Sequence, residues 1–205
     1  MAFFRSVSLS EMVPAIAGEG VVLRTPQAGD HAEWAELRGA SRDFLTPWEP
    51  TWPADDLSRA SFRRRIKRYS EDQRADLAYA FFVFRRLDNA LVGGLTLANI
   101  RRGCAQAASL GYWMGAVYAR QGYMTAAVNA VLPFAFATLR LHRVEAACIP
   151  TNAASVRLLE KAGFTREGFA RHYLCINGIW QDHLLFARLA DDPAPPAAAG
   201  AFSDR

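Results

Sequence analysis

The sequence has few cysteines and histidines, and their spacing excludes the sites that these residues usually build. Its three cysteines, Cys104, Cys148 and Cys175, are far apart, odd in number and without a CxxC pair. A disulfide framework or a zinc site therefore has no support, and the pattern fits a reducing cytoplasm. The four histidines form neither an HxxxH nor an HExxH motif. We therefore expect no metal site.

The sequence also lacks the long apolar runs of a membrane protein. No stretch has the length of a transmembrane helix, and Glu11 interrupts the apolar residues near the N-terminus. A secretory signal is therefore not predicted, and we find no internal repeat. The expected location is the cytoplasm, with no membrane partner.

The sequence does contain enough apolar material for one folded domain. Of its 205 residues, 51% are hydrophobic, and the net charge is +4. This moderate basic excess is compatible with an acidic partner such as a nucleotide cofactor or ribosomal RNA, and no DNA partner is expected. We expect a flexible lead-in at 1–18, a single domain at 19–189 and a disordered Ala/Pro-rich tail at 190–205.

Apolar periodicity predicts that strands and helices are mixed along the domain. Strands are predicted at 21–24, 79–85, 91–100, 108–114 and 143–149, and in a hairpin whose turn is Asn177-Gly178. Helices are predicted at about 30–41, 55–72, 122–139 and 152–163. The order indicates an α/β to α+β fold in which one mixed sheet is covered on both faces.

The stretch ARQGYMTAAV, residues 119–128, places Arg120 and Gly122 just before a predicted helix. The first N–H groups of a helix have no internal partner and attract phosphate, and glycine lets a ligand approach the backbone closely. A phosphate site is one interpretation of this stretch. An ordinary loop followed by a helix cap is the other.

Three longer segments resemble a known family when they are taken together. They are LGYWMGAVYARQGYMTAAV, LHRVEAACIPTNAASVRLLEKAGF and HYLCINGIWQDHLLFA, all within residues 110–187. The chain resembles the GNAT superfamily of acyl-CoA-dependent N-acetyltransferases over about residues 20–189, in particular the RimJ/RimL-like ribosomal-protein-alanine N-acetyltransferases. The resemblance implies a mixed, mostly antiparallel sheet of six to seven strands, about four flanking helices and one splayed strand pair.

The resemblance implies acetyl-CoA as cosubstrate, with no metal, and a pyrophosphate site at the start of the helix. The residues that it places there are Arg120, Gln121, Gly122, Tyr123, Met124 and Thr125. Ala119 departs from the family pattern, which has Gln or Arg at that place. Because backbone amides supply most of the binding, we expect the site to persist, with Arg120 as a substitute donor.

The resemblance also implies residues for the pantetheine arm and for the chemistry. The backbone of Trp113 and Met114 is expected to bond the arm, and the Met114 N–H to act as an oxyanion donor. Asn152 is expected to contact the arm, although it suits a helix cap equally well. Ser155 is the expected donor to the leaving thiolate, and because its hydroxyl is a weak acid we expect it to donate a hydrogen bond or to order a water.

Two further roles rest on weaker arguments. Glu145 is a candidate general base, and a structural ion pair with a nearby arginine explains it equally well. Four residues are candidates for acceptor binding: Trp48, Trp52, Tyr173 and Asp182. Packing beneath the early loop is an alternative for both tryptophans.

The resulting hypothesis is an acetyltransferase that acts on the N-terminal alanine of a ribosomal protein by direct attack in a ternary complex. One alternative is a small-amine N-acetyltransferase, for an antibiotic, polyamine or amino-acid conjugate. Another is a non-catalytic acyl-CoA-binding regulatory protein. The basic segment Arg63–Arg68 is either a solvated helix face or a surface that docks on the ribosome, and the protein is expected to be a monomer or homodimer.

Overall fold

Residues 14–193 are described by a computed structural model, and their strands and helices follow the predicted order with one short strand and one short helix added. The strands are β1 Ile16–Gly18, β2 Val21–Arg24, β3 Tyr79–Arg85, β4 Leu91–Arg101, β5 Ala107–Met114, β6 Arg143–Cys148, β7 Thr165–Ile176 and β8 Ile179–Leu189. The helices are α1 His31–Ala40, α2 Arg42–Leu45, α3 Arg59–Arg74, α4 Tyr123–Pro133 and α5 Ala153–Lys161. Among these residues, no helix is both long and apolar enough to cross a membrane.

All eight strands of the described residues lie in one sheet, in the order β1-β2-β3-β4-β5-β6-β8-β7. Every neighbouring pair is antiparallel except β5 and β6, which run parallel. The parallel pairing is short, from Ala107 opposite Arg143 to Ser109 opposite Glu145. Beyond Ser109 the two strands are no longer paired, and a gap opens between them. The mixed sheet with a splayed strand pair is therefore confirmed, with eight strands where six to seven were expected.

Apolar residues on both sides of β3 explain why helices cover both faces of the sheet. Phe81 and Val83 pack into a core with α4 and α5, whereas Phe82 and Phe84 pack with α1 and α3 on the other face. Successive side chains of a strand point to opposite faces, so each face of β3 needs its own cover. Phe62 of α3 is 0% exposed, and complete burial of such a side chain contributes about 1.5–3 kcal/mol.

Several element boundaries differ from the predictions for local reasons. The flexible lead-in predicted at 1–18 is wrong for Ile16–Gly18, which pair with β2, while residues 1–13 lie outside the described residues. Helix α3 begins at Arg59 because the Ser58 hydroxyl accepts the Ser61 N–H and caps it there. Helix α4 changes to a π-helical turn after Pro133, which has no N–H to donate.

The end of the predicted domain makes contacts beyond residue 189. The Ala190 N–H donates to His142 O, and the Arg188 guanidinium donates to Gly163 O and Pro193 O. The disordered tail predicted at 190–205 therefore does not begin at residue 190. Residues 194–205 lie outside the described residues.

The hairpin of β7 and β8 turns at the dipeptide that predicted it. Asn177 and Gly178 both have positive φ, 45° and 81°, as a type I′ turn requires. The Asn177 N–H donates to Glu49 O at 2.9 Å. This contact fixes the hairpin tip against the loop that follows α2.

Candidate functional site

A cleft of about 860 Å³ lies beside the end of β5 that is not paired with β6. Its walls are the end of β5, the loop before α4, the first turns of α4 and α5, and the segment that follows α1. The predicted cofactor-binding residues that line it are Trp113, Met114, Arg120, Gln121, Gly122, Tyr123, Met124, Thr125, Asn152 and Ser155. Residues predicted from two separate segments of the chain thus meet in one cleft.

The amino terminus of α4 lies in this cleft without a side-chain cap. Its N-cap residue is Gly122, with φ of 88°, and a Cβ placed there would meet no atom within 4 Å. Helix amino termini carry partial positive charge on N–H groups that have no acceptor inside the helix. A phosphate can therefore approach the backbone closely here, and the residues present fit the diphosphate of coenzyme A.

The loop before Gly122 is held in a fixed bend. Arg120 has a φ of 62°, which is uncommon for a residue other than glycine. The Gln121 side chain donates to Val117 O at 2.8 Å. Gln121 thus braces the loop with its side chain, and the exposed Arg120 adds a positive charge at the rim of the cleft.

The register of β5 against β4 decides which main-chain groups face the gap. The Gly115 N–H donates to Val92 O at 2.9 Å, on the β4 side. Successive residues of an antiparallel strand present their N–H and C=O to opposite edges. The main chain of Met114 and Tyr112 therefore faces the gap, and that of Trp113 faces β4. The predicted pantetheine contact from the Trp113 main chain is corrected on this ground, while the position of Met114 agrees with its predicted role.

Ser155 and Tyr112 share a hydrogen bond of 2.7 Å between their hydroxyl oxygens at the wall of the cleft. Ser155 lies in the first turn of α5, where its N–H donates to the side chain of the N-cap residue Asn152. Burial raises the pKa of the Tyr112 hydroxyl, outweighing the lowering effect of its bond to Ser155. Tyr112 therefore stays neutral at ordinary pH and can act as a donor to Ser155.

A second cavity, of about 350 Å³, lies on the face of the sheet that α1 and α3 cover. Trp52 lines this cavity, whereas Trp48 lines the first cleft. Both predicted tryptophans therefore lie at the site, but in different compartments. Three residues line both cavities: Glu49, Tyr112 and Trp113.

Charged groups of the second cavity occur as close pairs. Arg38 donates two hydrogen bonds to the Glu49 carboxylate, at 2.8 and 2.7 Å, and Arg65 donates to Asp56 at 2.7 Å. The Arg38 guanidinium also lies 4.2 Å from the ring centre of Trp52, a cation–π arrangement. The negative charges of two carboxylates are thus balanced by the positive charges of two guanidiniums in the cavity wall.

A glycine in β4 makes room for the tryptophan between the two cavities. A Cβ on Gly94 would lie 2.6 Å from Trp113 Nε1, closer than real Cβ contacts. Any larger residue at this position would push the indole out of place. The Gly93-Gly94 pair of β4 is therefore part of the site's construction.

Glu145 lies away from both cavities. It is opposite Ser109, the last paired position of β5 and β6, and its carboxylate accepts from Arg101 at 2.5 Å and Arg143 at 2.9 Å. It is absent from the described residues that line either cavity. The structure therefore does not support Glu145 as the general base and shows the alternative, a structural ion pair.

Tyr173 and Asp182 are also separate from the cavities. Asp182 accepts the His172 N–H at 2.8 Å across the hairpin, and the Tyr173 ring contacts the His183 ring. Neither is among the described residues that line the two cavities. The structure therefore does not support their predicted role in acceptor binding, and it shows a bulge in β7 between Ala170 and Leu174 beside them.

The buried cysteine near the site is poorly suited to act as a nucleophile. Cys148 is 6% exposed, and burial raises the pKa of its thiol. Less of it is therefore present as the reactive thiolate near neutral pH. This disfavours a route through an acetylated cysteine.

The sequence-based prediction missed two side chains that the structure brings to the site. Neither Tyr112 nor Glu49 is among the predicted site residues, although Glu49 lies between two predicted tryptophans in WEPTW. Glu49 could have been noticed as the acidic residue of this aromatic loop. The contact of Tyr112 with Ser155, 43 positions away, has no local signal.

Comparison with known proteins agrees with this geometry. Residues 21–165 match the acetyltransferase (GNAT) domain. A probable N-acetyltransferase of Bacillus subtilis, YjcK, is 37% identical over 177 residues, which cover 86% of this chain and 98% of the relative. The [ribosomal protein uS5]-alanine N-acetyltransferase of Escherichia coli is 31% identical, with 85% of this chain and 90% of the relative covered.

Among solved structures, Mycobacterium smegmatis RimJ in complex with CoA-disulfide superposes with a TM-score of 0.82 and 31% identity, covering 89% of each chain. The relatives are named N-acetyltransferases, so an enzyme is favoured over a non-catalytic binding protein. Together with the splayed strands and the uncapped α4, these matches show that the chain belongs to the GNAT family of acetyl-CoA-dependent N-acetyltransferases.

Proposed function

We propose that this acetyltransferase acts on the N-terminal alanine amine of a ribosomal protein, by direct attack within a ternary complex. The observation that carries the proposal is the meeting of two cavities at Glu49, Tyr112 and Trp113. The larger one fits the cosubstrate, and the smaller one is available to an acceptor. The Escherichia coli relative is named for an alanine of ribosomal protein uS5, which supports this acceptor class.

Acetyl-CoA supplies a thioester whose carbonyl carbon receives the amine. As the N–C bond forms and the C–S bond breaks, the Met114 N–H is placed to stabilise the oxyanion, since it faces the gap. The Ser155 hydroxyl donates a hydrogen bond to the departing sulfur, and the Tyr112 hydroxyl donates a hydrogen bond to the Ser155 oxygen. The proton that the amine loses leaves to solvent, and the thiolate gains one.

Among the described residues, the carboxylates that line the two cavities are Glu49 and Asp56, and each is paired with an arginine. Neither is therefore suited to act as a strong base. Reference pKa values are about 7.7–8.0 for an α-amine and about 10.4 for lysine. Near neutral pH about a fifth to a third of an α-amine is neutral, but only about one lysine in a thousand. The site therefore suits an N-terminal amine better than a lysine side chain.

The small-amine alternative predicts an acidic acceptor cavity, because polyamines and aminated antibiotics are cationic. The second cavity pairs each of its carboxylates with a guanidinium, Glu49 with Arg38 and Asp56 with Arg65. Its wall is thus balanced in charge. This favours a peptide, which brings a single amine, over a polycation.

An acceptor panel tests the proposal. The panel contains a peptide that starts with a free alanine, the same peptide with a blocked N-terminus and one lysine, and a polyamine. We expect kcat/KM for the free alanine peptide to exceed that for the lysine peptide by at least about 10-fold, because of the neutral fraction of each amine. The measurement is the initial rate of CoA release with acetyl-CoA. Faster turnover of lysine or of the polyamine would overturn the proposed acceptor.

The basic helix α3 supports a narrower ribosome-docking proposal than its sequence suggested. Arg64 pairs with Asp55, and Arg65 belongs to the wall of the second cavity. Arg63 and Arg68 are exposed, and they are the residues that we propose for docking on ribosomal RNA.

Neutralising these two arginines is expected to separate docking from catalysis. The variant Arg63→Gln/Arg68→Gln should lower the acetylation rate on assembled ribosomes by about 10-fold at low salt, because contacts with phosphate depend on charge and are screened by salt. Its rate on a free alanine peptide should match that of the wild type. Equal losses on both substrates would contradict docking, and Arg64→Gln serves as the matched control because its charge is already paired.

A further inference from the structure

Glu49 occupies the junction between the cosubstrate cleft and the acceptor cavity. It lines both cavities, and it is the acidic residue among the described residues that line the cleft. Its side chain retains 19% of its exposure, so a ligand can reach it. The Asn177 N–H holds its carbonyl from the hairpin tip, which fixes the backbone at this position.

The hydrogen bonds of Glu49 leave one acceptor position open. A carboxylate offers about four lone-pair positions, two on each oxygen. Oε2 accepts from Arg38 at 2.7 Å and from Trp52 Nε1 at 2.7 Å, whereas among residues 14–193 Oε1 accepts only from Arg38, at 2.8 Å. The remaining lone pair of Oε1 is therefore available to a further N–H donor.

Arg38 makes this oxygen suitable for a nucleophilic amine. A lone carboxylate would favour the ammonium form, whose nitrogen has no lone pair to attack with. Here the guanidinium of Arg38, itself 6% exposed, compensates the negative charge. Glu49 thus accepts a hydrogen bond while the pair as a whole carries no net charge.

We propose that Glu49 Oε1 receives an N–H of the acceptor amine and orients its lone pair toward the thioester. The inference deepens the proposed function and rests on the acceptor being a primary amine. In the transfer, the nitrogen keeps the N–H held by Glu49 until the N–C bond has formed and the C–S bond has broken. The surplus proton leaves to solvent, so Glu49 is a substrate-binding residue and not the base.

The test compares two ligands on two forms of the enzyme. Calorimetry measures the dissociation constants of an alanine-starting peptide and of its propionyl counterpart, which lacks the amine, for the enzyme saturated with CoA. In the wild type we expect the amine peptide to bind at least about 10-fold more tightly, as hydrogen bonds to charged groups are among the stronger ones. In Glu49→Gln and Glu49→Ala the ratio of the two dissociation constants should fall to about 1–2, and the dissociation constant of the propionyl peptide should change little.

Glu167→Gln is the matched control. It makes the same change at a carboxylate that accepts from an arginine, Arg143, but is not among the described residues that line either cavity, so the ratio between the two peptides should persist. A purely structural role of Glu49 predicts something else: both peptides would weaken equally in the Glu49 variants, and the ratio would stay as in the wild type. That result would overturn the inference.

Failure of the proposed function is recognised separately, in the wild type. If the wild type acetylates a small primary amine and no peptide, the peptide proposal falls. The role of Glu49 is then decided by the ratio of the dissociation constants of that amine and of an analogue in which a methyl group replaces the amine. If the wild type acetylates none of the amines tested, so that no amine leads to release of CoA, the proposed function and this inference fall together.

Discussion

Gly122→Val is expected to weaken acetyl-CoA binding by about 100-fold, or ~2.7 kcal/mol. Gly122 begins α4 with a φ of 88° and faces open space in the cleft. A branched side chain there would stand where a diphosphate must approach the helix amino terminus. The dissociation constant of acetyl-CoA, measured by calorimetry, checks this.

The variant also strains the backbone, and a control must remove that contribution. A left-handed conformation costs an L-residue about 1–2 kcal/mol, and more for a branched one. Gly103 has a φ of 65° and no atom within 4 Å of a built Cβ, and it is not among the described residues that line the cleft. Gly103→Val should therefore lose similar stability in thermal unfolding and keep the affinity for acetyl-CoA.

The pair of variants decides between the two interpretations of ARQGYMTAAV. If both glycine variants bind acetyl-CoA like the wild type, the start of α4 is an ordinary capped loop. If both lose affinity equally, the loss reflects stability and not contact. Only a selective loss in Gly122→Val supports a diphosphate at this helix.

Features with a local signal were the ones that the sequence could predict. Asn177-Gly178 needs positive φ at two successive residues, and few other dipeptides meet that condition. Gly122 and the apolar strands likewise depend on neighbours along the chain. The predicted cofactor-binding residues were found together in one cleft, because they lie in two contiguous segments that the family resemblance covers.

Features that depend on distant residues were missed or misplaced. Glu145 lies on the expected strand, but its side chain is held by Arg101, 44 positions away, at the last paired position of β5 and β6. Glu49 reaches the site because Arg38 and the hairpin tip hold it there. The three-residue strand β1 is too short for a pattern and exists because β2 offers a free edge.

Ser155→Ala is expected to lower kcat by about 100-fold, at the low end of the effects of proton donors. A thiol has a reference pKa of about 8.5, so a thiolate can leave near neutral pH without full protonation. The alanine keeps the N–H that Asn152 caps, so α5 should remain intact. Acetyl-CoA affinity should change little, and single-turnover kinetics would locate the defect in the chemical step.

A lower kcat could also follow from a disturbed site, and Tyr112 separates the two causes. Removing the Ser155 hydroxyl leaves the Tyr112 hydroxyl without its 2.7 Å partner, at a cost in stability of about 1 kcal/mol. The double variant Ser155→Ala/Tyr112→Phe removes both hydroxyls and should regain that stability. If the serine donates to the thiolate, kcat stays low in the double variant. If kcat recovers together with stability, Ser155 only supports the wall of the cleft, because then the loss came from an unpaired tyrosine and not from a missing donor.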